Sequence, residues 1–455
     1  MSALETFYDR SPLGVQNLMT TLSGYQRNRS RYGKIYWDHR AFLKEFDRWP
    51  AGKQLEYQRE ELVKLLRYTV KHSAFYRELY AGIDLSQINS VDDLKRLPIV
   101  DKEMIRERID DVATVEEKGA VIEHTGGTTG KSLIVRHRAE DTMRRMATLD
   151  HFKARVGFEH RQMKRATFNG KHIVPPGQKS RVFWRYNRAC RQMIYSSFFL
   201  SETNIPFYIE SLNRFKPDAL DGFFTCLVDI AGYMKRKGIT PQFHSIAIFP
   251  TSETLTPDGR VLLEEVFQCK VYDQYASSEY APFVTECPEQ TLHVELSSGV
   301  FEKMPDSDEV LVTSFASYGT PLIRYRIGDK MIFAGEGETC ACGLHSPVIR
   351  QIEGRSLDFL YTPEGAKINA GNVANLLKNM PNAVIRAQFR QDTMDHIKAL
   401  LQVDPELYKE DYDQLLIDEF AHKFGEKTRV TIEHVPEIPR ETSGKYRMIV
   451  NHVNP

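Results

Sequence analysis

The sequence predicts an α/β protein in two parts: a large N-terminal domain of mixed sheets and helices over residues 1–354, and a smaller α+β C-terminal domain over 355–455. Three observations predict it. Residues 1–110 carry apolar residues mainly at helical spacing. From about 120 to 350, strand and helix patterns alternate. After about 355 the pattern restarts as a compact unit of about 100 residues.

Each element has its own signal. In "REELVKLLRYTVKHSAFYRELY", Leu62, Leu65, Leu66 and Val70 recur every three or four residues, which makes one apolar helix face. "SIAIFPT" (245–251) is a β-branched, apolar run and reads as a strand. Thr256-Pro257 then supplies an N-cap followed by proline at the first helical position. "KVYDQYA" (270–276) is read as the next strand, so the three together form a βαβ unit and imply a parallel layer. "EVLVTSF" (309–315) is a further strand, and "QIEGRSLDFL" marks the junction between the two parts.

Composition excludes several classes. Of 455 residues, 41% are hydrophobic and 27% charged, which is ordinary globular composition. Lys+Arg and Asp+Glu both number 61, so no excess of positive charge points to nucleic acid. No apolar run approaches the roughly 18–20 residues that span a bilayer. Glu5, Asp9 and Arg10 interrupt any signal-peptide core, and the expected location is the cytoplasm. Six cysteines are too sparse for a disulfide scaffold.

The stretch "HTGGTTGKS" (124–132) concentrates three glycines with Lys131. Glycine-rich backbone can turn N–H groups toward an anion, and a lysine adds charge, so phosphate is the natural ligand. Gly130, Lys131 and Ser132 match the end of a Walker loop, but Thr125 stands where its first glycine belongs. The flanks, Ala120–Glu123 and Leu133–His137, read as strands rather than as strand and helix. The expectation is a hairpin whose tip closes over a triphosphate; a solvated loop without ligand is the plainer alternative for this stretch alone.

Four further stretches follow in order. "YDQYASSEY" puts Glu279 just past a strand end, "PLIRYRIGD" puts Asp329 after a glycine, "EGRSLDF" carries Arg355 and Asp358, and "IPRETSGKYR" carries Lys445. Singly, each is ordinary surface chemistry. Together, and over nearly the whole chain, they resemble the adenylate-forming superfamily. "YRELYAGIDLSQINSVDDLKRLPIVDKEMIRE", "SETL" (252–255) and "YDQYASSE" (272–279) are similar to the phenylacetate–CoA ligase family and its CapK-like, capsule-biosynthesis branch.

The resemblance implies roles. Thr125, Gly126, Gly127, Thr128, Thr129, Gly130 and Lys131 would clasp the β- and γ-phosphates of ATP, with Ser278 in the same binding set. Tyr275 would lie against adenine, Asp329 would accept a ribose hydroxyl, and Arg355 would make a second ribose contact. Glu279 would ligate Mg²⁺, a hard cation suited to phosphate oxygens. Lys445 would reach the α-phosphate and the carboxylate from a mobile C-terminal domain that swings about Leu357 and Asp358. The chain departs from the family at Thr125-Gly126-Gly127, at Ala276 where glycine is usual, and at Leu357 where the hinge Asp is usual.

The implied reaction is ATP-dependent activation of a small-molecule carboxylic acid to an acyl-adenylate with release of pyrophosphate. Acyl transfer to CoA or to an amine would follow, in capsule or other polysaccharide biosynthesis. The alternatives are a degenerate ATP-binding protein of the same fold and a CoA-thioester transferase that uses no ATP. The joint presence of Glu279, Asp329 and Lys445 argues against the first, and the clasp loop against the second. The sequence carries no signal of oligomeric state. For the acyl pocket, the expected region is 168–234, with Phe223 and Phe224 as apolar wall and Trp184, Arg185 and Arg188 suited to a polar or anionic substrate; ordinary core is the other reading of these residues.

Two groups of soft ligands remain. Cys287 and His293 lie in "ECPEQTLHVE", and Cys340 and Cys342 in "ETCACGLHSP". Cytosolic cysteines this close are metal ligands more often than disulfides. The four make a Cys₃His set, which is a closed tetrahedral zinc site of structural type. The spacings are looser than in a zinc finger; similar paired groups occur at these places in the phenylacetate–CoA ligase family. His345 is the substitute ligand.

Overall fold

The computed structural model describes residues 3–124, 133–175, 178, 180–305, 307, 309–335, 337–353, 359–369, 372–373, 375–377, 380, 383–403, 405, 407–409, 411–438 and 448–453. Three sheets of four or more strands organise them, beside two two-stranded ones.

The first is a six-stranded layer in the order Trp184–Asn187, Gln192–Ser196, Arg165–Asn169, Ala219–Phe223, Ala247–Thr251, Lys270–Val271. All neighbours are parallel except the first pair, as helical crossovers require. The expected unit is present: Thr256 caps the helix Pro257–Phe267 by accepting from the Gly259 N–H at 3.2 Å. Phe168, Tyr195, Tyr208, Leu220, Leu227 and Leu263 fill its core.

The second sheet has seven strands in the order Gly299–Lys303, Glu309–Ser314, Tyr325–Phe333, Val348–Glu353, Leu292–Val294, Val284–Glu286, Gln274–Tyr275. Every pair is antiparallel. This corrects the expected alternation: past Val271 strand follows strand, with no intervening helix among the described residues up to Glu353. The single strand expected over 270–276 is also divided. Lys270–Val271 ends the parallel sheet and Gln274–Tyr275 begins the antiparallel one. Between them the backbone N–H of Tyr272 still reaches Ile248 O, whereas that of Asp273 turns to the Glu286 carboxylate at 2.7 Å. The chain changes sheets at that residue.

The N-terminal helices close one face of the second sheet. Leu62, Leu65 and Leu66 are buried as the stripe predicts. Gln58 Nε2 donates to Gly299 O at 2.8 Å, Tyr76 Oη to Pro321 O at 2.9 Å, and Val100 pairs with Tyr325. Arg155, at the end of the helix Ala139–Arg155, bolts the layers together. Its guanidinium binds both carboxylate oxygens of Asp47 at 2.7 and 2.9 Å and also grips Glu295. All three side chains are at most 20% exposed.

The C-terminal unit is a four-stranded sheet in the order Arg429–His434, His396–Val403, Val384–Thr393, Ile449–Asn451, with the helix Asp411–Phe424 on one face. Phe389, Leu401, Leu416, Phe420 and Ile449 form its core, which also takes in Phe198 of the large part. No helix among the described residues is long and apolar enough to cross a membrane. All six cysteines are free thiols.

Candidate nucleotide and metal sites

The strands Val121–His124 and Ile134–His137 pair antiparallel, with His124 opposite Ile134. They form the predicted hairpin and hold the ends of the 125–132 stretch side by side; its residues lie outside those described. The hairpin is anchored at its base. Arg136 N donates to Thr320 Oγ1 at 2.8 Å, and its guanidinium meets Asp110 at 2.5 Å. A Cβ at Gly319 would stand 2.3 Å from Arg136 O, so only glycine permits this approach.

Glu279 sits beside this base, two turn residues beyond Ser277. His137 of the hairpin lies flat on Tyr280, with ring centroids 3.4 Å apart and planes 4° apart, and its Nε2 faces Ser278 O at 3.4 Å. Burial, helped by the Arg145 cation, holds the His137 imidazole down to about 3. It is therefore neutral at working pH and acts as a packing surface. Tyr280 adopts a positive φ of 62°, rare for a bulky residue. Its oxygen atoms are fastened by Thr142 at 3.2 Å and by Ser314. The residue after Glu279 is thus locked, which fixes where the carboxylate starts from.

Sequence reasoning missed Arg145. Its guanidinium carbon lies 4.5 Å from the Tyr280 ring centroid and 5.1 Å from that of Phe283. Burial works against its charge, while Tyr280, Glu123 and Glu279 favour it. Among the described residues its buried Nη1 has no hydrogen-bond partner. One arginine in "RHRAEDTMRRM" has no motif to mark it; only the fold turns this one toward Glu279.

Tyr275 and Asp329, 54 positions apart, are brought together: the phenol donates to Asp329 Oδ2 at 2.7 Å. Tyr275 also meets Phe301 edge-on, with centroids 6.0 Å apart. The strands Gln274–Tyr275 and Tyr325–Phe333 belong to one sheet, and the turn with Ser278 and Glu279 leaves from the first. Arg355, Leu357, Asp358 and Lys445 lie outside the described residues.

The acyl-pocket candidates are more ordinary. Arg185 is fully buried and donates to Gln16, Gln178, Val182 O and Trp184 O at 2.6–3.1 Å. Trp184 packs against Tyr195 and Tyr208, and Phe224 is core. Arg188 is exposed and Phe223 half-buried. The core reading holds for Trp184, Arg185 and Phe224, because polar backbone and amide partners satisfy the one charge.

The soft ligands do assemble. Sγ of Cys287, Cys340 and Cys342 and a ring nitrogen of His293 all lie within 4.8 Å of one another. Cys287 Sγ is 3.7 Å from Cys340 Sγ, and Cys342 Sγ is 3.5 Å from His293 Nε2. Pairing of His293 with Val348 draws the cysteine loop over the strand that follows Cys287. His293 Nδ1 lies 3.1 Å from Ser346 O, an outer carbonyl that orients the ring and leaves Nε2 to the centre. Three sulfurs and one imidazole suit zinc. His345 is exposed and outside the group.

These sheets, with a C-terminal α+β unit, have the architecture of the adenylate-forming ligases. A 2-hydroxyisobutyryl-CoA ligase bound to its acyl-AMP and CoA superposes with a TM-score of 0.57 at 18% identity, covering 90% of this chain and 91% of that one. The same ligase in its open conformation gives 0.55, covering 88% and 92%. Residues 360–452 match the family described as CapK C-terminal domain. Protein CapK of Staphylococcus aureus is 35% identical over 455 residues, 99% of this chain and 100% of that protein. The phenylacetate-coenzyme A ligase of Thermus thermophilus is 24% identical over 90% of this chain and 98% of its own length. The chain belongs to the CapK family.

Proposed function

We propose that this chain uses ATP and Mg²⁺ to adenylate a small carboxylic acid and then passes the acyl group to CoA or to an amine. The contact of Tyr275 with Asp329, on the strand from which Glu279 departs, carries the reading. It spans the seven-stranded sheet from its edge strand to Tyr325–Phe333, and so brings the candidate aromatic platform to the candidate hydroxyl acceptor, while the turn with Ser278 and the candidate metal carboxylate Glu279 packs on His137 at the base of the glycine-rich hairpin. In the first step a carboxylate oxygen bonds to the α-phosphorus and pyrophosphate leaves. In the second a thiol sulfur or amine nitrogen bonds to the acyl carbon and AMP leaves.

Both reactants of the first step are anions, so charge neutralisation and alignment dominate the barrier. Lys131 and the backbone of 125–130 serve the β- and γ-phosphates. Ser278 and Arg355 complete nucleotide binding. Glu279 would hold Mg²⁺, which would supply Lewis acidity at the phosphates. Lys445 belongs to the small domain, 355–455, and acts only when that domain closes on the large one, 1–354; Leu357 and Asp358 form the hinge. Cys287, His293, Cys340 and Cys342 hold a structural zinc, since four protein ligands leave no open position. The setting is the cytoplasm, and an amine acceptor fits the decoration of a polysaccharide precursor.

The test is pyrophosphate release from ATP across aryl acids, amino acids and uronic acids, followed by trapping with CoA and with amino sugars. Release with one class, dependent on Lys445, supports the reading. Tight ATP binding with no release for any acid identifies the degenerate ATP-binding alternative instead.

A further inference from the structure

The loop that leaves the strand Arg165–Asn169 is pressed between two remote parts of the chain. On one side is the N-terminal helix Ala3–Arg10: Tyr8 Oη donates to Ile173 O at 2.7 Å, and Asp9 Oδ1 meets His172 Nε2 at 3.1 Å. On the other side is the C-terminal unit. A Cβ at Gly170 would stand 1.9 Å from Asn372 Oδ1, so the loop and the C-terminal unit approach closely here. The His172 ring lies 3.7 Å, centroid to centroid, from that of His422 on the helix Asp411–Phe424.

One carboxylate and two imidazoles from positions 9, 172 and 422 therefore converge, with a ligand atom of each within 4.8 Å of the others. The side chains of His172 and Asp9 are only 18% and 16% exposed. Packing alone explains this poorly. An Asp–His pair needs no second histidine, and among the described residues the second imidazole gains no hydrogen bond. A cation satisfies all three groups at once. Two imidazoles and a carboxylate are the donor set of three-ligand zinc sites, in which water fills the open position.

We propose that Asp9, His172 and His422 form a divalent-cation site of the zinc class that clamps the helix Asp411–Phe424 to the N-terminal helix and to the loop after Asn169. The ligands come from both parts of the chain, so the ion binds only while the C-terminal unit is docked as seen here. Binding to one arrangement and not to others stabilises that arrangement by mass action. The clamp adds to two direct ties, the Lys367–Asp229 ion pair at 2.8 Å and Phe198 inserted into the C-terminal core. The cation thereby sets the resting position of a unit that the proposed reaction requires to move.

The test uses the untagged full-length chain titrated with Co²⁺. A site of nitrogen and oxygen ligands gives weak visible bands without the near-ultraviolet thiolate charge transfer of the Cys₃His set, so the two are read separately. Wild type should bind one such equivalent. His172→Ala and His422→Ala should each weaken it at least 100-fold while leaving the thiolate signal intact. Hydrogen exchange in Asp411–Phe424 should slow with Co²⁺ or Zn²⁺ in wild type and not in either variant. Circular dichroism checks folding, and Asp9→Asn replaces any variant that fails it. No thiolate-free equivalent in wild type overturns the proposal, as does undiminished uptake by a folded His422→Ala.

Discussion

Replacing Arg155 with methionine keeps most of the side-chain length and removes the charge. The wild-type guanidinium serves Asp47 and Glu295 together, and His151 Nε2 supports Asp47 at 2.8 Å. Although burial opposes ionisation of Asp47, the His151 and Arg155 hydrogen bonds hold it down to about 2, from 3.8. At about 1.4 kcal/mol per pKa unit the whole shift corresponds to roughly 2.5 kcal/mol, of which Arg155 supplies only a part because His151 remains. Glu295 loses its partner as well, and breaking a buried pair costs about 3–5 kcal/mol. The expected loss is therefore about 3–5 kcal/mol at pH 7, measured by urea denaturation with tryptophan fluorescence and circular dichroism. The sign with pH is distinctive. In wild type the Asp47 contribution is complete above 3.8 and is lost as pH falls through about 2. In the variant Asp47 keeps His151 but loses the guanidinium that helped to hold its carboxyl down, so acid costs the variant less. The gap between the proteins should thus narrow as pH falls below about 3.8, where the wild-type contribution is lost. A gap below about 1 kcal/mol, or one independent of pH, would refute the account of Arg155 as the bolt between layers.

Lys445→Ala should cut adenylation at least 100-fold, since one charge aimed at the transition state contributes about 3 kcal/mol, with little change in unfolding; an unchanged rate of pyrophosphate release would remove Lys445 from the mechanism. Asp329→Ala should raise the KM for ATP roughly 10- to 100-fold and affect kcat less, as loss of a hydrogen bond to a charged acceptor costs about 1.5–3 kcal/mol; the same shift in kcat alone would contradict a ribose contact. The Cys340→Ser, Cys342→Ser double variant should lose one zinc per chain by elemental analysis and several degrees of Tm; full stability without metal would dismiss the Cys₃His site.

What could be read in advance was whatever a local pattern determines. The β-branched flanks of 124–132 identified a hairpin rather than a Walker strand and helix, and Thr256-Pro257 marked a helix start. The Cys₃His set was readable because soft ligands are few, although the pairing of His293 with Val348 that assembles it could not be seen. Non-local facts escaped. The switch of sheets at Asp273 depends on the Glu286 carboxylate, 13 positions away. For Arg185 the sequence leaves substrate ligand and core both open; the choice rests on partners such as Gln16, 169 positions distant, that satisfy its charge in the interior. Asp9, His172 and His422 stand far apart along the chain and share no motif.

The ties from Gln58 to Gly299, Tyr76 to Pro321 and Val100 to Tyr325 have a consequence in time. At ribosomal speeds of about 5–20 residues per second, a tie spanning 241 positions waits on the order of 10–50 s for its partner to be made. Meanwhile the helix Ala51–His72 has emerged with Leu62, Leu65 and Leu66 uncovered. The parallel sheet draws its strands from one stretch, Trp184 among them, and can assemble first. Nascent chains stalled short of Gly299 should therefore be cut readily by protease within Ala51–His72 and resist it within Ala219–Thr251. Uniform protection of both would mean that the N-terminal helices find another cover during synthesis.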